Sequence, residues 1–362
     1  MPSFRLSTRR PSCRNVAAGL ALAAMLALGG GCSTLRYYSH LAVGEAGVLL
    51  KRQPIDKVIA APDTDPALRR RLRLAQRARR FASARLDLPD NRSYTTYADI
   101  GRPFVMYNVF ATPALSLAPV QHCFPFAGCV AYQGFYQKAR ARTAADKLRA
   151  KGDDVYIGGV PAYSTLGHFA DPVLSTMNRW SDDELVGTIF HELAHQKLYV
   201  KGDTAFNESF ATFVQREGLR QWHTANDLPP PDPSQTRRRR EFTQLVLATR
   251  KQLETIYAGT ASDTEKRERK QAAFAELRQR YRHLRDTRWH GHGDYDQWIS
   301  APLNNAKLLP FGLYDQHVDA FARLFRQCDE NWNTFYRRAR ALGEGDATVR
   351  AAFLQGEAAA RP

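Results

Sequence analysis

The sequence predicts an α+β protein, predominantly helical, in which a small sheet accompanies a longer series of amphipathic helices. Three observations predict it. Apolar residues recur at helical spacing over residues 67–87, 182–200 and 238–288. Residues 94–164 instead carry β-branched and aromatic runs punctuated by Gly and Pro, the texture of short strands. A stiff break, Leu228-Pro-Pro-Pro-Asp-Pro-Ser234, divides the helical part, because proline cannot continue a helix.

The first residues read as an address. Arg5, Arg9, Arg10 and Arg14 precede an apolar run from Val16 to Leu28, too short to span a bilayer as a conventional helix. Residues 1–31 are therefore expected to be a secretory signal peptide. Its end, Leu28-Gly-Gly-Gly-Cys32-Ser33, resembles a bacterial lipoprotein cleavage site with Cys32 as the lipidated residue. Plain secretion is the alternative. Pro11, Ser12 and Cys13 after Arg9-Arg10 weaken a twin-arginine reading. The expected location is the bacterial cell envelope, lipid-anchored and facing the periplasm, with the outer membrane favoured by analogy.

Composition agrees with an exported globular chain. The formal charge is +16 over 362 residues, and loss of the four signal arginines leaves +12. Export argues against nucleic acid as a partner. Anionic headgroups or acidic polymers would fit the charge, but solvated arginine-rich helix faces explain it more simply.

Residues 32–66 form an amphipathic lead-in, and residues 67–87 a basic helix with Leu68, Leu72, Ala75, Ala78, Phe81 and Ala82 inward. The best strands are Phe104–Thr112, Val130–Tyr136 and Asp154–Tyr163, two of them interrupted by Gly or Pro and so expected at sheet edges. Cys123 and Cys129 flank a turn-forming loop short enough for a local disulfide, or stay as two buried thiols. Cys328 sits beside Phe321, Leu324 and Phe325 and reads as core.

The chemistry is concentrated in His191-Glu-Leu-Ala-His195. On a helix, residues four apart share a face, so both imidazoles can converge on one metal ion. Glu192 then stands where it can take a proton from water at the metal. Ser181-Asp-Asp-Glu184 is a capping box, and Leu185, Ile189 and Leu193 supply an apolar stripe, so the helix should run from Asp182 to about Val200. Lys201-Gly-Asp203 turns the chain into a second helix carrying Phe206, Phe210, Phe213 and Val214. Glu208 lies five residues after that turn and His195 five before Val200, which brings Glu208 to about the same height, roughly 7.5 Å along each helix. His191, His195 and Glu208 would leave a fourth position open, the arrangement of a catalytic zinc. A solvated helix-face carboxylate is the bland alternative for Glu208.

With Asn207-Glu208-Ser-Phe-Ala211, this motif resembles the zincin metallopeptidases, in their glutamate-ligand branch, and among them a bacterial envelope family of putative aminopeptidases. The resemblance extends to Tyr107-Asn-Val-Phe-Ala-Thr-Pro113, Phe126-Ala-Gly-Cys129-Val-Ala-Tyr132, Gly158-Gly-Val-Pro-Ala-Tyr-Ser-Thr-Leu-Gly167 and Leu303-Asn-Asn-Ala306, and covers residues 32–345. The interval from His195 to Glu208 is shorter than in the thermolysin-type and large aminopeptidase families. No Gly-x-Met-Glu-Asn segment, which reads a free substrate amino group in the latter, is present. The resemblance implies a zincin-like catalytic core over 67–227 with a small sheet packed on the metal helix and an edge strand at Val155–Leu166. Tyr163, Ser164 and His168 would border the cleft, unless they are merely a structural loop. It also implies one Zn2+, a peptide substrate, and a Tyr or His for the oxyanion: Tyr314, His317 or Tyr163. Asp203, Asn207 or Thr212 would support the ligands.

Beyond the break, residues 228–295 are read as a linker and a helical hairpin insertion that projects from the core or lids it, with Arg237–Arg240 as a solvated helix end. Trp289-His-Gly-His-Gly-Asp294 reads as a flexible loop sooner than a second metal site. Residues 296–345 are expected to complete the core with C-terminal helices, and 346–362 to form a flexible tail. Oligomeric state is not legible. The expected activity is peptide-bond hydrolysis by a membrane-anchored zinc enzyme, an aminopeptidase as the resemblance implies. The rivals are a non-catalytic lipoprotein clamped by zinc, and a cell-wall amidase.

Overall fold

The computed structural model describes residues 36–124, 128–311 and 317–356. The signal region, Cys32 and Tyr314 lie outside the described residues. Helix α1 (residues 36–49) leads through β1 (Arg52–Pro54) to α2 (Ile55–Ala60) and α3 (Pro66–Leu86). Then come β2 (Thr96–Ala98), β3 (Met106–Pro113), β4 (His122–Phe124), β5 (Gly128–Val130), β6 (Tyr132–Phe135), α4 (Lys138–Arg149), β7 (Asp153–Val160) and β8 (Val173–Leu174). The remainder is helical: α5 (Asp182–Lys197), α6 (Thr204–Ala225), α7 (Pro233–Ala258), α8 (Asp263–Arg288), α9 (Asp296–Ser300), α10 (Val318–Arg326), α11 (Trp332–Glu344) and α12 (Ala347–Gln355). Short 3-10 turns stand at Ser175–Arg179 and Asn305–Leu308. The protein is a predominantly helical α+β structure. No described helix is long and apolar enough to cross a membrane.

Local chemistry explains the helices that matter. Asp65 caps α3 by accepting from the Ala67 and Leu68 amides, with Pro66 in the first turn. Leu72, Ala75, Ala78 and Ala82 are fully buried along one face. Helix α5 starts on the capping box read from the sequence: Glu184 Oε2 accepts from the Ser181 amide at 2.7 Å, and Ser181 Oγ from the Glu184 amide at 3.1 Å. Its stripe of Leu185, Ile189 and Leu193 is fully buried.

The larger sheet has the order β6–β3–β7, all antiparallel. Strands β6 and β7 do take the edges. Tyr107, Val109 and Ala111 of β3 pack one face onto Ala141, Ala145 and Leu148 of α4. That helix interrupts the stretch read as strands, because its apolar positions are mainly alanines inside a basic sequence. The outer edge of β6 is covered by α1, where Tyr37 Oη accepts from the Gly134 amide and His40 Nε2 from the Tyr136 amide. Strand β7 ends at Val160, before Pro161, and does not continue to Leu166.

The sheet sharing a core with α5 is not this one. It is β1–β2–β8, whose Tyr97, Ala98, Val173 and Leu174 join one cluster with α3, α5, α6 and α10–α12. A second cluster unites α7, α8, α9 and the 3-10 turn, around Phe242, Phe274, Tyr281, Trp289, Ile299 and Leu308. Residues 296–311 therefore pack with the hairpin, correcting their expected place among the C-terminal helices. The expected tail at 346–362 is also corrected. Over 347–355 it is helix α12, with Asp346 as N-cap and Leu354 buried, and the Phe353 ring lies 5.1 Å from that of Phe321. Cys123 and Cys129 are disulfide-bonded, facing each other across β4 and β5. Cys328 is a buried free thiol.

Candidate metal centre and active site

Helices α5 and α6 form an antiparallel hairpin whose facing sides are almost wholly buried. Helix α5 ends at Lys197, three residues earlier than the spacing predicts. The cause is Asn207: its side chain accepts from the Val200 amide and donates to the Val200 carbonyl, both at 2.7 Å, which draws residues 198–200 into extended chain. Asp203 caps α6 by accepting from the Phe206 amide at 3.0 Å, and its other oxygen pairs with Arg350 of α12 at 2.9 Å. These two residues thus set the turn that carries Glu208 back to the histidines.

His191, His195 and Glu208 converge. His191 Nε2 lies 3.4 Å from Glu208 Oε2, and His195 Nε2 lies 3.7 Å from Glu208 Oε1. The two Nε2 atoms are 3.2 Å apart. Tetrahedral zinc with bonds of about 2.0–2.1 Å would hold adjacent donors about 3.3 Å apart, and the separation of the two Nε2 atoms and that of each from a Glu208 oxygen are of this size. Among the described residues this is the one group of three such side chains able to hold a metal. His290 and His292 stand exposed on their loop outside any such group, while the neighbouring Trp289 is buried and donates to Glu241.

The protonation pattern follows from burial and neighbours. For His191, burial opposes the charge, but the Glu208 and Glu192 carboxylates outweigh it and raise the pKa. For His195, burial, then the nearby His191, lowers it to about 4, so a free lone pair is available. Burial also pushes Glu192 up to about 7, helped by Glu208 and Asp171 and opposed by His191 and by a hydrogen bond from Ser164.

One positioning contact was not anticipated. Gln215 Oε1 lies 3.1 Å from His191 Nδ1 and accepts its proton, leaving Nε2 to face the other two donors. Gly187 makes room for it: a Cβ there would stand 3.0 Å from Gln215 Nε2. The signal was present in the sequence, since Gln215 follows Glu208 by seven residues, two turns along the same helix face.

Of the residues expected at the cleft, Ser164 stands beside Glu192, and its hydroxyl also approaches Asp171 Oδ2 at 3.4 Å. Tyr163 turns elsewhere: its hydroxyl donates to Glu45 and accepts from Tyr136 at 3.0 Å. His168 is exposed. His317 Nδ1 bonds the Leu354 carbonyl at 3.1 Å, tying the start of α10 to α12. Two other tyrosines stand near the donors. The Tyr199 ring is 6.4 Å from that of His195 and half exposed. The Tyr132 hydroxyl is raised by burial, then by the nearby Tyr199 and Glu208. Thr212 is buried on α6.

A family described as putative aminopeptidase matches the chain over residues 36–354. No curated protein and no solved structure matches it.

Proposed function

Because the chain belongs to the putative aminopeptidase family, we propose that it is a zinc metallopeptidase of the zincin type, in the glutamate-ligand branch, removing residues from the amino end of peptides. The observation that carries this reading is the convergence of His191, His195 and Glu208 with Glu192 one residue from the first ligand. His191 and His195 would hold the ion through Nε2 and Glu208 through a carboxylate oxygen. When bound, zinc supplies a Lewis acid that polarises the scissile carbonyl and acidifies water. Glu192 accepts the proton of the attacking water and delivers it to the leaving amine. Gln215 keeps His191 in the tautomer that presents Nε2.

The arginine-flanked apolar run and Cys32 support a lipid-anchored protein facing the periplasm, on the outer membrane. A zinc clamp without catalysis would have no use for a half-buried carboxylate beside the first ligand. Glu192→Gln separates the two readings. The variant should retain one equivalent of zinc and lose peptide hydrolysis by at least about 100-fold, the scale of general-base catalysis. An unchanged rate removes Glu192 from the reaction. A panel of peptides with free and blocked amino ends, with a cell-wall amide as the third arm, decides between exopeptidase, endopeptidase and amidase.

A further inference from the structure

One face of the β6–β3–β7 sheet is occupied by α4; the opposite face is the unusual one. Tyr132 pairs with Phe110 and Phe110 with Tyr156, so the three side chains stand side by side on that opposite face. Their rings form a row, with centroids 5.3 Å apart between Tyr132 and Phe110 and 6.2 Å between Phe110 and Tyr156. Gly158 gives the row its space, since a Cβ there would lie 3.2 Å from Tyr156 and 3.6 Å from Phe110. Helix α4 and the 3-10 turn at Asn305–Leu308 are the described helical elements that pack broadly on these strands. The turn reaches the far end of the row, where Lys307 Nζ stands 5.9 Å from the Tyr156 ring. At the near end Tyr132 is 43% exposed and neighbours Tyr199, which is 50% exposed and packs toward His195.

Phe110 and Tyr156 remain only partly buried, although their sheet has a full core on its other side. A continuous apolar strip left uncovered beside polar groups marks a binding surface. Its Tyr132 end is the one near Tyr199 and Glu208. We propose that the Tyr132–Phe110–Tyr156 face is the substrate shelf of this site, taking peptides with a bulky apolar or aromatic side chain beside the bond that is cut. The inference rests on the peptidase reading for its location, while its specificity comes from the rings. An aromatic or branched side chain lies flat on such a row and excludes water from it. A glycine leaves the rings wet, and an aspartate must shed its hydration against them, since the Lys307 ammonium at the far end of the row is already donating to the Trp298 and Pro302 carbonyls.

The test uses the zinc-loaded full chain and a set of peptides identical except for one residue: Phe, Leu, Ala, Gly or Asp. The Phe and Leu peptides should be consumed at least about tenfold faster than the Gly and Asp peptides, the discrimination an apolar pocket supplies. Phe110→Ala should shrink that ratio by raising KM for the Phe and Leu peptides. Phe110→Leu keeps an apolar side chain and should keep most of the ratio, which guards against a merely misfolded alanine variant. Equal rates for all five peptides, or a preference untouched by Phe110→Ala, overturn the shelf. Binding to the zinc-loaded Glu192→Gln variant separates this failure from failure of the peptidase reading. If the Phe peptide binds tighter than the Gly peptide but wild-type protein cuts neither, the shelf stands and the peptidase falls. If neither preference in binding nor in cleavage is seen, the shelf falls.

Discussion

His191 and Gln215 face each other across the α5–α6 hairpin, with the imidazole Nδ1 3.1 Å from the amide oxygen. One hydrogen bond therefore decides which ring nitrogen is left free to take a metal ion. His195 has no counterpart among the described residues: its Nδ1 is buried without a partner. The two histidines are equivalent in the motif but not in their support.

Gln215→Leu should weaken zinc binding by about 10–100-fold, the usual effect of losing a group that orients a ligand histidine. Competition with a chelator on the purified protein measures it, and the melting temperature should move little. Gln215→Glu keeps an acceptor at that position and should recover most of the affinity. Equal affinity for wild type and Gln215→Leu would show that ring orientation is set by packing alone.

Asn207→Ala removes both bonds to Val200 and leaves that amide and carbonyl without their partner. Asn207 is only 2% exposed, so water cannot easily substitute. The expected loss is about 2–3 kcal/mol of unfolding free energy, from denaturant titration. Zinc affinity should fall with it, since the same turn carries Glu208. A loss in stability without a loss in metal affinity would separate the turn from the site.

Lys270 of α8 reaches the sheet, pairing with Asp154 of β7 at 2.6 Å while also donating to the Ala114 carbonyl at 2.8 Å. Asp154 accepts from the Asn305 amide as well, at 2.9 Å. The two charged side chains are 8% and 17% exposed, so removing one strands the other. Asp154→Ala should cost about 3–5 kcal/mol, the range for breaking a buried pair. Replacing both, as Lys270→Met with Asp154→Leu, should cost clearly less. Hydrogen exchange would locate the damage between the hairpin and the sheet.

The chain by itself determined whatever depends on neighbours along a helix. The capping box at Ser181, the i,i+4 histidines, the turn at Gly202 and the returning Glu208 follow from 3.6 residues per turn and short-range hydrogen bonds, and the donors converge as that arithmetic requires. The hairpin of α7 and α8 was legible for the same reason. Tertiary structure alone decided what lies across from what. Helix α4 hid in a basic stretch because its contact face is alanine, whose burial is worth little until a sheet arrives to cover it. The late chain became α12 because Phe321 and Arg350's partner Asp203 await it, contacts that no local pattern reveals. Tyr132, Phe110 and Tyr156 are separated by more than twenty residues at each step in the chain and meet only through strand register. Registers and packed faces are long-range free-energy minima, and a period read along one segment holds no information about its partner.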